Sequence, residues 1–507
     1  MPRKLIPLCL MSWLIVPLAF AATASEPEEP APLPEVALDF PFVSTHSGEF
    51  NGKRITYTAM VDAIDVTDAQ GKPGARIVST SYIADSGAAP EQRPVMFVFN
   101  GGPISPSVYL HMGAFGPKRV AFSEDLSADA SAAPLEDNPY SILDVTDLVY
   151  FDPASTGFSR TLPGKAPEDY FSVGADAQQT AAFVAAWLAA HGRTASPTYL
   201  FGESYGTNRA AETARQLAEL PEPVLLDGVI LFGQAVNIIE YAQRPHNIIS
   251  YVVSLPTLAA LGWYHNKAGV NRGDAAGDET ASLDAFVEAA WQYAQTDYLL
   301  ALFQGNALSP EQLQAVAERL EYFTGLSAQY FVDQNLRVSK QAYRAEILKN
   351  EGLLIGYSDG RYVAEVIEGE ASPDPAMQLV IALKDAFPTY LVNDLGLPSA
   401  EAYVFDSPVK GLDEWDWGGQ SPFDRFDYGV GLTTLQEKHP GARVMVSAGY
   451  YDTMTTTGAS RYYVEQESWP GQPALLEFYI GGHMAYSDEN SAREMAEDLR
   501  TMILASE

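Results

Sequence analysis

Tyr199-Leu-Phe-Gly-Glu-Ser-Tyr-Gly-Thr-Asn-Arg-Ala-Ala-Glu212 decides how the rest of the chain is read. It passes from apolar, strand-favouring residues into Gly202-Glu203-Ser204-Tyr205-Gly206 and then into a helix-forming run. That is the strand, tight turn and helix in which a G-x-S-x-G serine serves as nucleophile. The two glycines have a mechanical job. Lifting the Ser204 hydroxyl above a sheet takes strained backbone and close packing, which side chains at 202 and 206 would obstruct.

Outward from that stretch, continuous apolar runs recur at 95–99, 147–152, 198–202, 228–232, 443–447 and 475–480. Such runs belong to strands buried on both faces, the signature of a parallel sheet. Helical stretches lie between them, as at 175–190 and 205–220, and 491–504 predicts a closing amphipathic helix. Strand alternating with helix argues for an α/β fold with a mostly parallel central sheet flanked by helices. Residues 50–86 alternate and are punctuated by Gly and Asp, which predicts antiparallel hairpins leading into the core. Residues 237–400 differ. Helical spacing at 283–303, 310–323 and 339–349, without a convincing buried strand, predicts a mainly helical cap over the sheet's carboxyl edge. The expected layout is a core at 46–236, the cap at 237–400 and a second core part at 401–507.

The 31 basic residues stand against 65 acidic ones, a net charge of −34, which argues against nucleic acid or an anionic membrane as partner. The N-terminus reads as an address. Arg3 and Lys4 precede an apolar run at 5–20, and Ala22-Thr23-Ala24 offers a cleavage site, with Ala19-Phe20-Ala21 as a second candidate. Residues 1–24 are therefore expected to be a signal peptide, too short and too Pro-interrupted for a span, and 25–45 a disordered Pro/Glu-rich leader. The single cysteine, Cys9, falls inside the signal segment. The mature chain is expected to carry neither disulfide nor membrane anchor, as an exported bacterial protein of the periplasm or extracellular space. There is no H-E-x-x-H, no paired histidine spacing and no dinucleotide fingerprint, so no metal and no cofactor are expected. Oligomeric state is not legible.

A serine hydroxyl needs a base, and the base an orienting acid. Among seven histidines, His483 stands in a Gly-Gly-His loop directly after an apolar strand; Asp452 also follows a strand directly. The order Ser204, Asp452, His483 is that of α/β-hydrolase sheets, where strand ends on one edge converge. His111, near the Gly-rich loop, and His265 read as packing residues. Oxyanion donors should be backbone N–H groups, one from Tyr205 and one from the Gly-rich loop Asn100-Gly-Gly-Pro103 after strand 95–99, with Gly102 as the choice.

These blocks together resemble the serine carboxypeptidases, in the bacterial branch that lacks disulfides. Asn100-Gly-Gly-Pro103 is similar to that family's oxyanion loop, and Asn138-Pro-Tyr-Ser141 with 151–159 to its next strand and loop. Gly202-Glu-Ser-Tyr-Gly206 is similar to its elbow, and Gly481-Gly-His-Met484 to its histidine loop. The resemblance runs from about Phe50 to the C-terminus. It implies an α/β hydrolase with a helical insertion, peptide substrates, and release of a C-terminal residue through an acyl-enzyme. It also implies that Asn100 and a protonated Glu203 bind the substrate carboxylate. The chain departs from the family at Ile104-Ser105-Pro106, where glycine and small residues are usual. Ala114 stands where many members place a further carboxylate-binding Glu, Val98 where many have Trp, and Tyr450 in place of an Asp. Alternative readings are a serine esterase or acyltransferase on the same fold, or a non-catalytic binding protein.

Overall fold

The computed structural model describes residues 33–269, 282–367, 373–419 and 427–505, and one compact unit begins at Val36. The expected signal peptide, with Cys9, lies outside the described residues. The chain enters through antiparallel strands β1 (Phe42–Phe50), β2 (Lys53–Thr67) and β3 (Pro73–Ala84). Asn51 and Gly52 join the first two with φ of 50° and 70°, the left-handed pair that a two-residue hairpin of matching twist requires. β1 starts inside the stretch 25–45 read as leader. Its Ser-Thr-His-Ser-Gly run reads as polar because it is an edge strand with alternate residues exposed; the ladder with β2 makes it a strand.

The inner strands are the apolar runs. They are β4 (Val95–Phe99), β7 (Asp147–Phe151), β9 (Thr198–Glu203), β10 (Gly228–Phe232), β13 (Arg443–Gly449) and β14 (Leu475–Tyr479). Between them a small ribbon pairs β5 (Lys118–Val120) with β6 (Leu135–Asp137), and β8 (Arg160–Thr161) adds to β3. The main sheet runs β1-β2-β3-β7-β4-β9-β10-β13-β14, parallel from β7 onward. Every residue of β4, β7, β9 and β10 is buried, so no polar alternation survives in their sequences. Val95, Phe97 and Phe99 pack on one face of the sheet while Met96 and Val98 pack on the other. Each such side chain contributes about 1.5–3 kcal/mol of apolar burial.

Helices Val173–Ala190 and Gly206–Ala218 cover one face, and Glu489–Leu504 closes the chain with Met495, Leu499 and Ile503 inward. Between β10 and β13 lie helices with a core of their own, among them Leu255–Tyr264, Leu283–Tyr293, Pro310–Thr324 and Lys340–Glu346. This insertion also holds a short ribbon, β11 (Leu353–Ile355) with β12 (Val363–Glu365), whose three-residue strands are too brief to register as periodicity. The helix Met377–Asn393 differs from these helices: Leu383, Phe387 and Tyr390 pack with Tyr82 and Phe115 in the sheet's own core.

Candidate active site

The connections that leave the carboxyl ends of β4, β9, β10, β13 and β14 meet here. β9 lies between β4 and β10, so its terminal turn is flanked by Asn100 on one side and Gly233 on the other. Ser204 has φ of 59°, a conformation a non-glycine residue holds only when its surroundings enforce it. Its N–H donates to the Phe232 carbonyl at 2.9 Å, and its own carbonyl accepts the Thr207 N–H and hydroxyl at 2.9 and 2.7 Å. A Cβ on Gly202 would lie 2.2 Å from the Gly206 carbonyl oxygen, which accounts for glycine there. Among buried neighbours Ser204 keeps partial exposure. The helix Gly206–Ala218 begins immediately after it, and its N-terminal dipole favours negative charge at this spot.

Asp452 is fully buried after β13, and His483 is partly exposed after β14. His483 Nδ1 donates to Asp452 Oδ2 at 2.7 Å. Because a carboxylate only accepts, this contact places a ring proton on Nδ1, so that in the neutral imidazole Nε2 is the acceptor. Asp452 also accepts the Met454 and Thr455 N–H groups at 2.7 and 3.1 Å and the Thr455 hydroxyl. Burial opposes a charge on His483, but the charge and hydrogen bond of Asp452, with Glu203 and Asp374 adding to them, raise its pKa above the ordinary imidazole value. A Cβ on Gly233 would stand 3.2 Å from His483 Cε1. The imidazole therefore sits beside the residue following Phe232, whose carbonyl holds Ser204.

The Asn100-Gly-Gly-Pro loop lies against the elbow. A Cβ on Gly101 would fall 2.5 Å from the Tyr205 nitrogen and 2.7 Å from the Glu203 carbonyl oxygen, so only glycine allows the approach. Gly102 follows with φ of 107° and is exposed in a loop whose other residues are mostly buried. Ile104 keeps the left-handed backbone expected of glycine, φ 52°, and inserts its side chain wholly into the core. The strain, about 1–2 kcal/mol, is offset by burial of a side chain worth a similar amount or more. Asp152 anchors this loop, accepting the Ser107 N–H and hydroxyl at 2.8 and 2.9 Å; burial raises its pKa.

Asn100 and Glu203 meet directly: Asn100 Nδ2 donates to Glu203 Oε2, and the Tyr486 hydroxyl donates to Oε1 at 3.0 Å. Asn100 Oδ1 accepts the Leu110 N–H at 3.1 Å, which fixes the amide's orientation. Burial pushes the Glu203 carboxyl up from 4.5 to about 7, against the pull of His483 and its hydrogen-bond donors. Tyr486, Thr455 and Asp152 escaped the sequence reading, since a tyrosine or threonine in a loop carries no chemical signature by itself. Asp152 did lie in a quoted block. Ala114 is buried and brings no carboxylate. Tyr450 donates its hydroxyl to Asp284 of the insertion at 2.7 Å. His111 is 1% exposed and stacks on Tyr150 at 4.2 Å, with burial lowering its pKa to about 3; His265 bonds the Gly360 carbonyl. Both are packing residues.

Sheet order, elbow and insertion define an α/β hydrolase. Residues 82–225 match the family model described as "Serine carboxypeptidase". The fold is similar to that of Kex1(delta)p, a prohormone-processing carboxypeptidase from Saccharomyces cerevisiae. The identity is 14%, over 87% of this chain and 91% of that one, with a TM-score of 0.51. A proline iminopeptidase from Mycobacterium smegmatis aligns at 14% identity over 88% of this chain and all of that one, with a TM-score of 0.35. No curated protein sequence matches the chain. The matched segment holds the Gly-rich loop and the elbow serine, and the match to the serine carboxypeptidase model indicates a serine hydrolase. Among the described residues no helix is long and apolar enough to cross a membrane.

Proposed function

We propose that this protein is an exported serine-type carboxypeptidase that releases C-terminal residues from peptides through an acyl-enzyme on Ser204. The observation that carries the reading is the 2.7 Å contact of His483 with buried Asp452 beside a serine held in the elbow conformation. His483 Nε2 takes the Ser204 proton as the hydroxyl attacks the scissile carbonyl, and Asp452 stabilises the imidazolium. The N–H groups of Gly102 and Tyr205 receive the oxyanion. His483 then gives the proton to the leaving amine, and water enters by the same route to free the acyl group. Asn100 and Glu203 receive the substrate carboxylate, Glu203 in its protonated form, which its elevated pKa makes available below about pH 7.

One observation favours a second reading, a serine esterase. Asn100 and Glu203 are each only 3% exposed and bonded to one another, and Ala114 supplies no further carboxylate. Hydrolysis of one blocked dipeptide as free acid, amide and ester, with Ser204→Ala as control, separates the two. Turnover of the free acid over the amide, strongest at acidic pH and absent in the variant, supports the carboxypeptidase. Turnover of the ester alone replaces it with the esterase.

A further inference from the structure

Three consecutive residues of the insertion reach the catalytic loops. The Tyr357 carbonyl accepts the Thr453 hydroxyl at 2.6 Å, one residue beyond Asp452. The Ser358 carbonyl accepts the His483 N–H at 2.7 Å. Asp359 Oδ2 accepts the Gly482 N–H at 3.0 Å, with Arg361 paired to the same carboxylate at 2.8 Å. The approach is close enough that a Cβ on Gly482 would lie 2.3 Å from the Ser358 carbonyl oxygen. One side chain organises this segment. Asp374 Oδ1 accepts the N–H groups of Tyr357 at 2.8 Å and Ala376 at 3.3 Å. Its Oδ2 accepts the N–H of Ser358 at 2.9 Å and the Ser358 hydroxyl at 2.7 Å. Donors converge on both oxygens, which a carboxylate satisfies and an amide, accepting on one side only, does not.

We propose that Asp374 is a positioning residue for the catalytic base, fixing the segment Tyr357–Asp359 on which the backbone of the His483 loop rests. The proposal depends on the reading of Ser204, His483 and Asp452 as a triad. Asp374 acts in two ways. Geometrically it sets the height of the Ser358 carbonyl and hence of His483. Electrostatically it is one of three carboxylates that favour the imidazolium: Asp452 in direct contact, Glu203 from the elbow and Asp374 from the insertion. Two cations face these groups: Lys340, which donates to the Met454 carbonyl at 2.9 Å and whose charge acts on Asp452, and Arg344, which donates to the Ile355 carbonyl at 3.1 Å and whose charge acts on Asp374.

The test follows the labelling rate of a fluorophosphonate probe across pH in wild type, Asp374→Asn, Asp374→Glu, Ser358→Ala and Ser204→Ala, since the probe reads the base without needing a peptide. Asp374→Asn is expected to label about 10–100-fold more slowly, the scale of a misplaced catalytic group. Its acid limb should move to lower pH, because a charge favouring the imidazolium is gone. Asp374→Glu should slow labelling while leaving the acid limb in place. A folded Asp374→Asn protein with an unmoved acid limb and a rate within about twofold of wild type overturns the proposal. Should that variant fail to fold, unchanged rates in both Asp374→Glu and Ser358→Ala overturn it, and slowing in either supports it. Labelling that persists in Ser204→Ala refutes the triad reading instead.

Discussion

Glu203→Gln isolates the least comfortable group in the site. The Glu203 carboxyl is buried, and its pKa stands at about 7 where 4.5 is ordinary. A carboxyl whose folded pKa is raised stabilises the fold relative to its ionised form below the unfolded value. That contribution is lost as pH rises through the folded value. The shift of about 2.5 units corresponds to about 3 kcal/mol at 1.36 kcal/mol per unit. Glutamine has the same shape and no charge, keeps an acceptor for Asn100, and titrates nowhere in this range. Wild type should therefore lose about 3 kcal/mol relative to the variant between about pH 4.5 and pH 8, and the difference should level off above 7. Urea unfolding of both proteins at several pH values measures it, and titrating groups not coupled to Glu203 cancel in the comparison. The same proton governs the proposed substrate contact, so free-acid peptide hydrolysis by wild type should decline as Glu203 ionises. A stability difference that stays flat with pH would refute the reasoning, because Glu203 would then titrate as it does in water.

Three further outcomes are expected. Asp452→Asn removes the acceptor that orients His483 and should lower kcat by about 10⁴-fold; its pH–rate profile should show the acid limb moved to lower pH. Gly101→Ala places a methyl 2.5 Å from the Tyr205 nitrogen and should cost about 10²–10³ in kcat by displacing a proposed oxyanion donor, read from steady-state kinetics. Tyr450→Phe loses only the hydroxyl contact to Asp284 and should cost about 1 kcal/mol in urea unfolding, with kcat/KM unchanged.

The inner strands were legible because burial on both faces leaves a run of five or more apolar residues that nothing else in a soluble domain requires. Val95–Phe99 and Gly228–Phe232 are such cases. β1 was not, since an edge strand draws its stability from a ladder and can be written in Ser, Thr and His. The helix Met377–Asn393 shows a second kind of illegibility: its apolar spacing announces a helix but not which core receives it.

Local chemistry is therefore what the sequence determined by itself: a glycine-flanked serine after a strand, a Gly-Gly loop, and a histidine and an aspartate each following a strand. These are signals within a few residues, and the parallel sheet explains why they share one edge. Contacts between segments far apart in the chain were decided only by the tertiary structure. Tyr486 on Glu203, Asp152 on the Gly-rich loop, Asp374 on Ser358 and Ser358 on the histidine loop span tens to hundreds of residues. Their partners are backbone groups or common polar side chains, and such pairings leave no pattern in one chain because any carboxylate or hydroxyl at the right place in space will serve. Where that place lies is set by how the insertion packs on the sheet.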